Sequence, residues 1–308
     1  LCMLGLFLFS ACSSDNQFPE EEIKEHKPAY TFDPNVEIDE EFTADENLTI
    51  KRNVNSYGYY DGVSSFGRLV VTDEDLLVLR NSHLTQTEIS ELQKKGKTLF
   101  YVVNLGEADK TADYWEEGWK VNDPEFIFEK IEAEGTEYVT VFWNPFWQAI
   151  VYEQVVDLAL LGYDGVVLEG LDYYEYFRKK GWQRTDKEMV EYVSRIRNIS
   201  LDQKEDFKIF MGDGLTIYNF NNLSSFVDGV LVKDIWYTDG KRNSLKNSVV
   251  KLEKLIDVKE DEKSILSLDI VSDEKEACLY YSLCGAKNIS CFAIFDDGEG
   301  VSKAVCEE

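Results

Sequence analysis

At 308 residues the chain can hold one large domain or two modest ones with a full core, and 44% of it is apolar. Its formal charge of −27 argues against nucleic acid or an anionic membrane surface as partner, since either needs a basic patch. Only two histidines, His26 and His83, are present, which disfavours a histidine-rich metal site and a nucleophile–histidine triad.

The first twelve residues, LCMLGLFLFSAC, form an apolar run too short to span a bilayer, ending in small residues and a cysteine. FSAC resembles the lipobox of bacterial lipoproteins, so Cys12 is expected to carry lipid and to become the mature N-terminus. That implies an exported protein, anchored to a membrane through Cys12 and facing the periplasm or cell surface. Residues 13–47 follow with twelve acids against Lys24 and Lys27, a flexible linker too polar to offset its ordering entropy. The folded body is expected over residues 48–308, as a monomer. Cys278, Cys284, Cys291 and Cys306 lack zinc-site spacing, and the expectation is buried small side chains with at most one bridge.

From residue 53 onward, short apolar runs alternate with amphipathic stretches. The expected strands are Asn55 to Tyr60, Leu76 to Leu79, Thr98 to Leu105, Tyr138 to Phe142, Gly165 to Leu168, Lys208 to Met211, Gly229 to Val232, Ile265 to Leu268 and Ser290 to Phe295. Several are continuously apolar, as strands covered on both faces are. Helical stretches such as Thr85 to Lys95, Phe146 to Leu161, Asp186 to Ile199 and Glu274 to Leu283 lie between them. Regular βα alternation over this length predicts an α/β fold, a single-domain (β/α)8 TIM barrel. With nine candidates for eight places, one is either not a strand or lies outside the barrel. A doubly wound open sheet is the alternative, but no βα junction carries a Gly-rich phosphate turn.

YDGVVLEG (163–170) and VDGVLVKD (227–234) share one pattern, in which Asp-Gly opens a strand and a charged residue closes it. Glu169 and Lys233 are thereby positional equivalents at the barrel mouth, where barrel enzymes place their chemistry. Asp172, Asp213, Asp234 and Asp269 also follow strand ends, as do Glu107 and Arg80. Aromatics stand close by, among them Tyr57, Tyr60, Trp143, Trp236 and Tyr237. Carboxylates beside flat rings suit carbohydrate cleavage: one acid protonates the leaving oxygen, a second carboxylate is nucleophile or base, and rings stack on sugars. DDGEG (296–300) is oxygen-rich enough to hold calcium, but a turn is the favoured reading.

YVVNLGEADKTADYW, FWNPFWQAIVYEQVVDLALLGYDGVVLEGLDYY and VDGVLVKDIWY resemble the endo-α-1,4-polygalactosaminidase family of glycoside hydrolases, over about residues 53 to 300. The resemblance implies a TIM barrel that cleaves galactosamine-containing α-1,4 polysaccharide without cofactor or metal. It places catalytic carboxylates on Glu169 and Asp172, and the other catalytic acid on Lys233 or, with a one-residue slip, on Asp234. Tyr57, Tyr60, Glu107, Trp143, Asp213, Lys233, Trp236, Tyr237 and Asp269 are expected to bind the substrate. Two departures fall on the central positions. Glu169 stands where the family has Asp, and an ammonium at 233 opposes the protonated state a general acid needs. An active hydrolase and a catalytically impaired, glycan-binding barrel are therefore both open. A Glu169–Lys233 contact with Asp234 turned away favours the second; Asp234 facing Glu169 across an open cleft favours the first. A cationic amino-sugar polymer suits either reading, and the cleft is expected to be strongly negative.

Overall fold

The computed structural model describes residues 56–62, 65–296, 298, 300, 301 and 306, all within the second of the chain's two compact units, Ala44–Glu308. The lipobox with Cys12, the linker 13–47 and residues 48–55 lie outside the described residues.

Eight parallel strands run in sequential order: β1 (Tyr57–Asp61), β2 (Leu76–Arg80), β3 (Thr98–Asn104), β4 (Gly165–Glu169), β5 (Lys208–Met211), β6 (Gly229–Lys233), β7 (Ser264–Ile270) and β8 (Ser290–Ile294). With helices between them they form a nearly closed (β/α)8 barrel; the open-sheet alternative fails on strand order. Seven ladders join the eight strands, and Gly300–Val301 adds a short antiparallel strand to β8. Among the described residues no ladder joins β8 to β1. Side chains close that seam: the Tyr57 and Tyr60 rings lie 6.0 and 5.8 Å from Phe292.

The ninth expected strand, at Tyr138, is the one outside the barrel. Glu137–Thr140 pairs with Glu107–Asp109 and Ile127–Lys130 in a small antiparallel sheet inserted after β3. The insert leads into the helix Pro145–Leu161. Asn144 caps it by accepting from the Phe146 N–H, proline fills its first position, and left-handed Gly162 ends it.

The central strands are apolar because helices cover one face and the barrel core the other; β4 is buried at all five positions. Gly165 and Gly229 are needed for close packing. A Cβ on Gly165 would sit 2.5 Å from the Lys208 carbonyl, and one on Gly229 2.6 Å from both the Phe210 ring and the Ser264 carbonyl. Cysteine pairing exceeds the single bridge expected. Cys278–Cys306 and Cys284–Cys291 both form, because the helix Glu274–Lys287 presents two cysteines beside β8 and the chain end.

Candidate active site

The C-terminal ends of the strands open into a cleft of about 990 Å³. Its floor is an ion cluster. Glu169, at the end of β4, is 6% exposed and accepts from Lys233 Nζ at 2.6 Å and Arg80 Nη1 at 3.1 Å. Arg80 ends β2 and Lys233 ends β6, so three strands around the ring converge on one carboxylate. The Tyr59 ring lies below, 5.5 Å from Lys233 Nζ.

Protonation follows from that cluster. Burial works to lower the Lys233 pKa, but the charge of Glu169, with Tyr59 beside it, carries it above its ordinary value. Burial likewise opposes the charge on Arg80, and Glu169 more than compensates. Lys233 is therefore a fixed cation and not a proton donor of carboxylic strength.

The other acids divide into two groups. Asp172 and Glu107 line the cleft with Glu169. Burial raises the Asp172 pKa, against a Gly214 N–H that lowers it. Glu107 accepts from the Tyr173 hydroxyl at 2.6 Å and Asn104 Nδ2 at 2.7 Å. Asp213, which also lines the cleft, and Asp269 are loop clamps. Asp213, after β5, accepts the N–H groups of Gly170, Leu171 and Asp172 at 2.7, 2.7 and 3.2 Å. Asp269, in β7, accepts those of Ile235, Trp236 and Tyr237 at 2.9, 2.7 and 2.9 Å. Burial pushes Asp213 up to about 7 and Asp269 up to about 6, although the amide hydrogen bonds pull both down.

Several expected contacts fall away from the cleft. Asp234 does not line it: its left-handed backbone, φ +60°, ends β6, and its carbonyl accepts from Lys251 Nζ at 2.7 Å and Asn243 Nδ2 at 2.9 Å. Asp269 is fully buried, with no face left for substrate. Tyr57, Trp236 and Tyr237 are core rings, and a ring without an exposed face cannot stack on a sugar. The Tyr57 hydroxyl donates to the Ser267 carbonyl and that of Tyr237 to Glu276. Tyr60 is buried, donating to Glu74 at 3.1 Å, and Trp143 packs outside the cleft on Phe177 at 4.7 Å.

The cleft also differs in charge from expectation. Six acids line it: Glu107, Glu137, Glu169, Asp172, Glu175 and Asp213. Six cations match them: Arg80, Lys179, Lys180, Lys233, Lys251 and Lys254. The cleft lining therefore does not carry the chain's net negative charge. Glu137 was not anticipated; burial and the charge of Glu107 raise its pKa, while Arg80, 3.8 Å away, lowers it. Tyr176, Asn104 and Tyr59 were also missed as site residues. Position on the strand was the available signal for Tyr59, two residues from Tyr57 on the same face.

Residues 68–297 match the model of glycoside-hydrolase family GH114. An uncharacterised protein of Methanocaldococcus jannaschii is 30% identical over 213 residues, 67% of this chain and 61% of its own length. A second from Thermotoga maritima is 28% identical over 195 residues, covering 62% of this chain and 60% of its own length. The chain thus spans about three fifths of these relatives. Among solved structures, the glycoside hydrolase domain of PelA from Pseudomonas aeruginosa superposes with a TM-score of 0.64 at 17% identity, over 81% of this chain and 98% of that one. Aspergillus fumigatus Ega3, solved in complex with galactosamine, gives 0.60 at 10% identity, over 77% and 90%. Both likenesses establish the shared fold. On the family match, this chain is a member of glycoside-hydrolase family GH114.

Proposed function

We propose that the cleft binds an amino-sugar-containing, α-linked polysaccharide, and that the paired-carboxylate hydrolysis of endo-α-1,4-polygalactosaminidases is disabled in it. One observation carries this reading: Lys233, at the strand end where the family resemblance calls for a catalytic acid, instead holds Glu169 in an ion pair, Nζ to Oε1 at 2.6 Å. The family match and the galactosamine complex of Ega3 support the sugar class. Glu107, Asp172 and Tyr173 line the cleft as polar partners for hydroxyl and ammonium groups. The balanced lining assigns recognition to placed contacts more than to bulk attraction, so binding should weaken only modestly with salt. The two disulfides suit an exported protein, and lipid attachment at Cys12 remains part of this proposal.

A second reading, active hydrolysis, is favoured by one feature: Asp172, with its raised pKa, shares the cleft with Glu169. Incubation with galactosamine- and glucosamine-rich polymers separates the two. Saturable binding without release of reducing ends supports the proposal. Release that is abolished by Glu169→Gln sinks it and establishes the second reading.

A further inference from the structure

One wall of the cleft holds an ammonium-binding corner that the protein fills with its own lysine. Lys180 Nζ lies 4.7 Å from the Tyr176 ring centroid and 5.3 Å from that of Phe128. The two rings stand at 88° to each other, so they close two sides of the corner. Glu129 closes a third: its Oε2 accepts from Lys180 Nζ at 2.6 Å and from the Tyr176 hydroxyl at 2.5 Å. Lys180 and Tyr176 both line the cleft, so the corner meets it directly.

Local structure explains how these groups converge. Tyr176 and Lys180 are four residues apart at the end of the helix Tyr173–Lys179, which puts them on one face. Phe128 and Glu129 are neighbours on the inserted strand Ile127–Lys130, where a regular pleat would send them to opposite sides. The register slips between them and the partner strand: Ile127 pairs with Thr140 and Glu129 with Val139, which leaves Phe128 as the extra residue of a bulge. That irregularity lets both side chains meet one ammonium. Hydrogen bonds from Lys180 and Tyr176 hold the Glu129 pKa below its ordinary value, so the corner keeps its negative charge.

We propose that this corner is an ammonium subsite for the amino sugar, and that Lys180 is its built-in competitor, displaced when the polysaccharide binds. The inference rests on the amino-sugar reading above and adds where one amine is recognised. The class of occupant is given by the group already seated there. A primary ammonium held by one carboxylate and two ring faces makes the contacts that a protonated sugar amine would make. The Lys180 side chain is 39% exposed and that of Glu129 49%, and an ion pair this open is weak, so a flexible lysine leaves it at little cost. The hydrogen bond from Tyr176 to Glu129 does not involve Lys180 and keeps the corner formed without it.

Emptying the corner should therefore tighten binding, the reverse of what losing a structural contact does. In titrations with galactosamine oligomers, Lys180→Ala should bind about tenfold more tightly than the unaltered protein, the size of a cation–π contact joined to an ion pair. Lys180→Met removes the same charge but keeps the corner filled, and should show little of this gain. Glu129→Gln added to Lys180→Ala should abolish it. Fully N-acetylated oligomers, which carry no ammonium, should not distinguish Lys180→Ala from the unaltered protein. Unchanged or weaker binding by Lys180→Ala, an equal gain with Lys180→Met, or an equal gain for N-acetylated oligomers overturns the subsite and leaves the cleft reading standing. If neither the unaltered protein nor Lys180→Ala binds galactosamine oligomers, the amino-sugar reading falls, and the subsite with it.

Discussion

The β4–β5 region and the β6–β7 region are built alike and end differently. Asp164 accepts the Leu99 N–H on β3 and Asp228 the Ile209 N–H on β5, each tying its strand to the preceding one. Each is also paired with a cation from the helix Thr185–Gln203 or its C-cap: Asp164 with Lys204, Asp228 with Arg197. A glycine follows in both, and past the strand end an aspartate of the next segment clamps three successive amides. On these matched frames stand Glu169 and Lys233, bound to each other. Scaffold and chemistry are thus separable here: the mouth keeps its geometry while the charge at one position is opposite.

The largest effect that would test this comparison comes from Lys233→Glu. If only the side chain at 233 withholds chemistry, this change supplies the missing carboxyl group on an intact frame. Release of reducing ends should then rise by about a hundredfold, the low end of a general acid's contribution. No gain, with the fold intact by circular dichroism, would mean that the two regions differ in more than one residue. Next in size are Gly165→Ala and Gly229→Ala, which force a Cβ against neighbouring carbonyls and rings. Denaturant titration should show each losing about 1–3 kcal/mol, as overpacking does. A neutral outcome at one glycine alone would break the equivalence.

Smaller again is the coupling across the ion pair. Glu169 is buried but Lys233 is partly exposed, so the pair stands between a buried and a surface bridge. Glu169→Gln and Lys233→Met should each cost about 1–2 kcal/mol, and the double variant less than their sum. Strict additivity would show that Arg80 alone holds Glu169. The smallest effect is on pH dependence. Asp213 and Asp269 titrate higher in the fold than the ordinary 3.8, so the folded chain holds these protons more tightly than the unfolded one. The stability this gives is complete below 3.8 and is lost as pH rises through about 6 for Asp269 and about 7 for Asp213. Melting should therefore fall by a few degrees between about pH 4 and 7, with Asp213→Asn and Asp269→Asn each flattening the slope.

The barrel was legible in the sequence because its strands are covered on both faces and read as unbroken apolar runs. The one strand outside it, at Tyr138, has the same composition, and only pairing partners reveal its place. Glu169 and Lys233 were legible from the repeated Asp-Gly pattern, which fixes their offset along equivalent strands. The roles of Asp213 and Asp269 were not, because a carboxylate at a strand end reads the same whether it faces substrate or backbone amides. Tyr57, Trp236 and Tyr237 failed for a related reason: adjacency to the mouth along the chain says nothing about depth. Glu137 was hidden because it arrives on an inserted sheet and not on a barrel strand.

The seam between β1 and β8 decides where the molecule yields. Among the described residues seven ladders join the eight strands, a ribbon with two hems, and both disulfides gather at one hem, around β8 and the helix before it. Stripping the bridges should loosen that hem first. Amide exchange in reductant should quicken at β8 while β4 and β6, well inside the ribbon, keep their protection. Equal quickening across all eight strands would contradict it. Fraying would then begin far along the weave from Glu169 and Lys233, leaving the mouth intact while the edge comes undone.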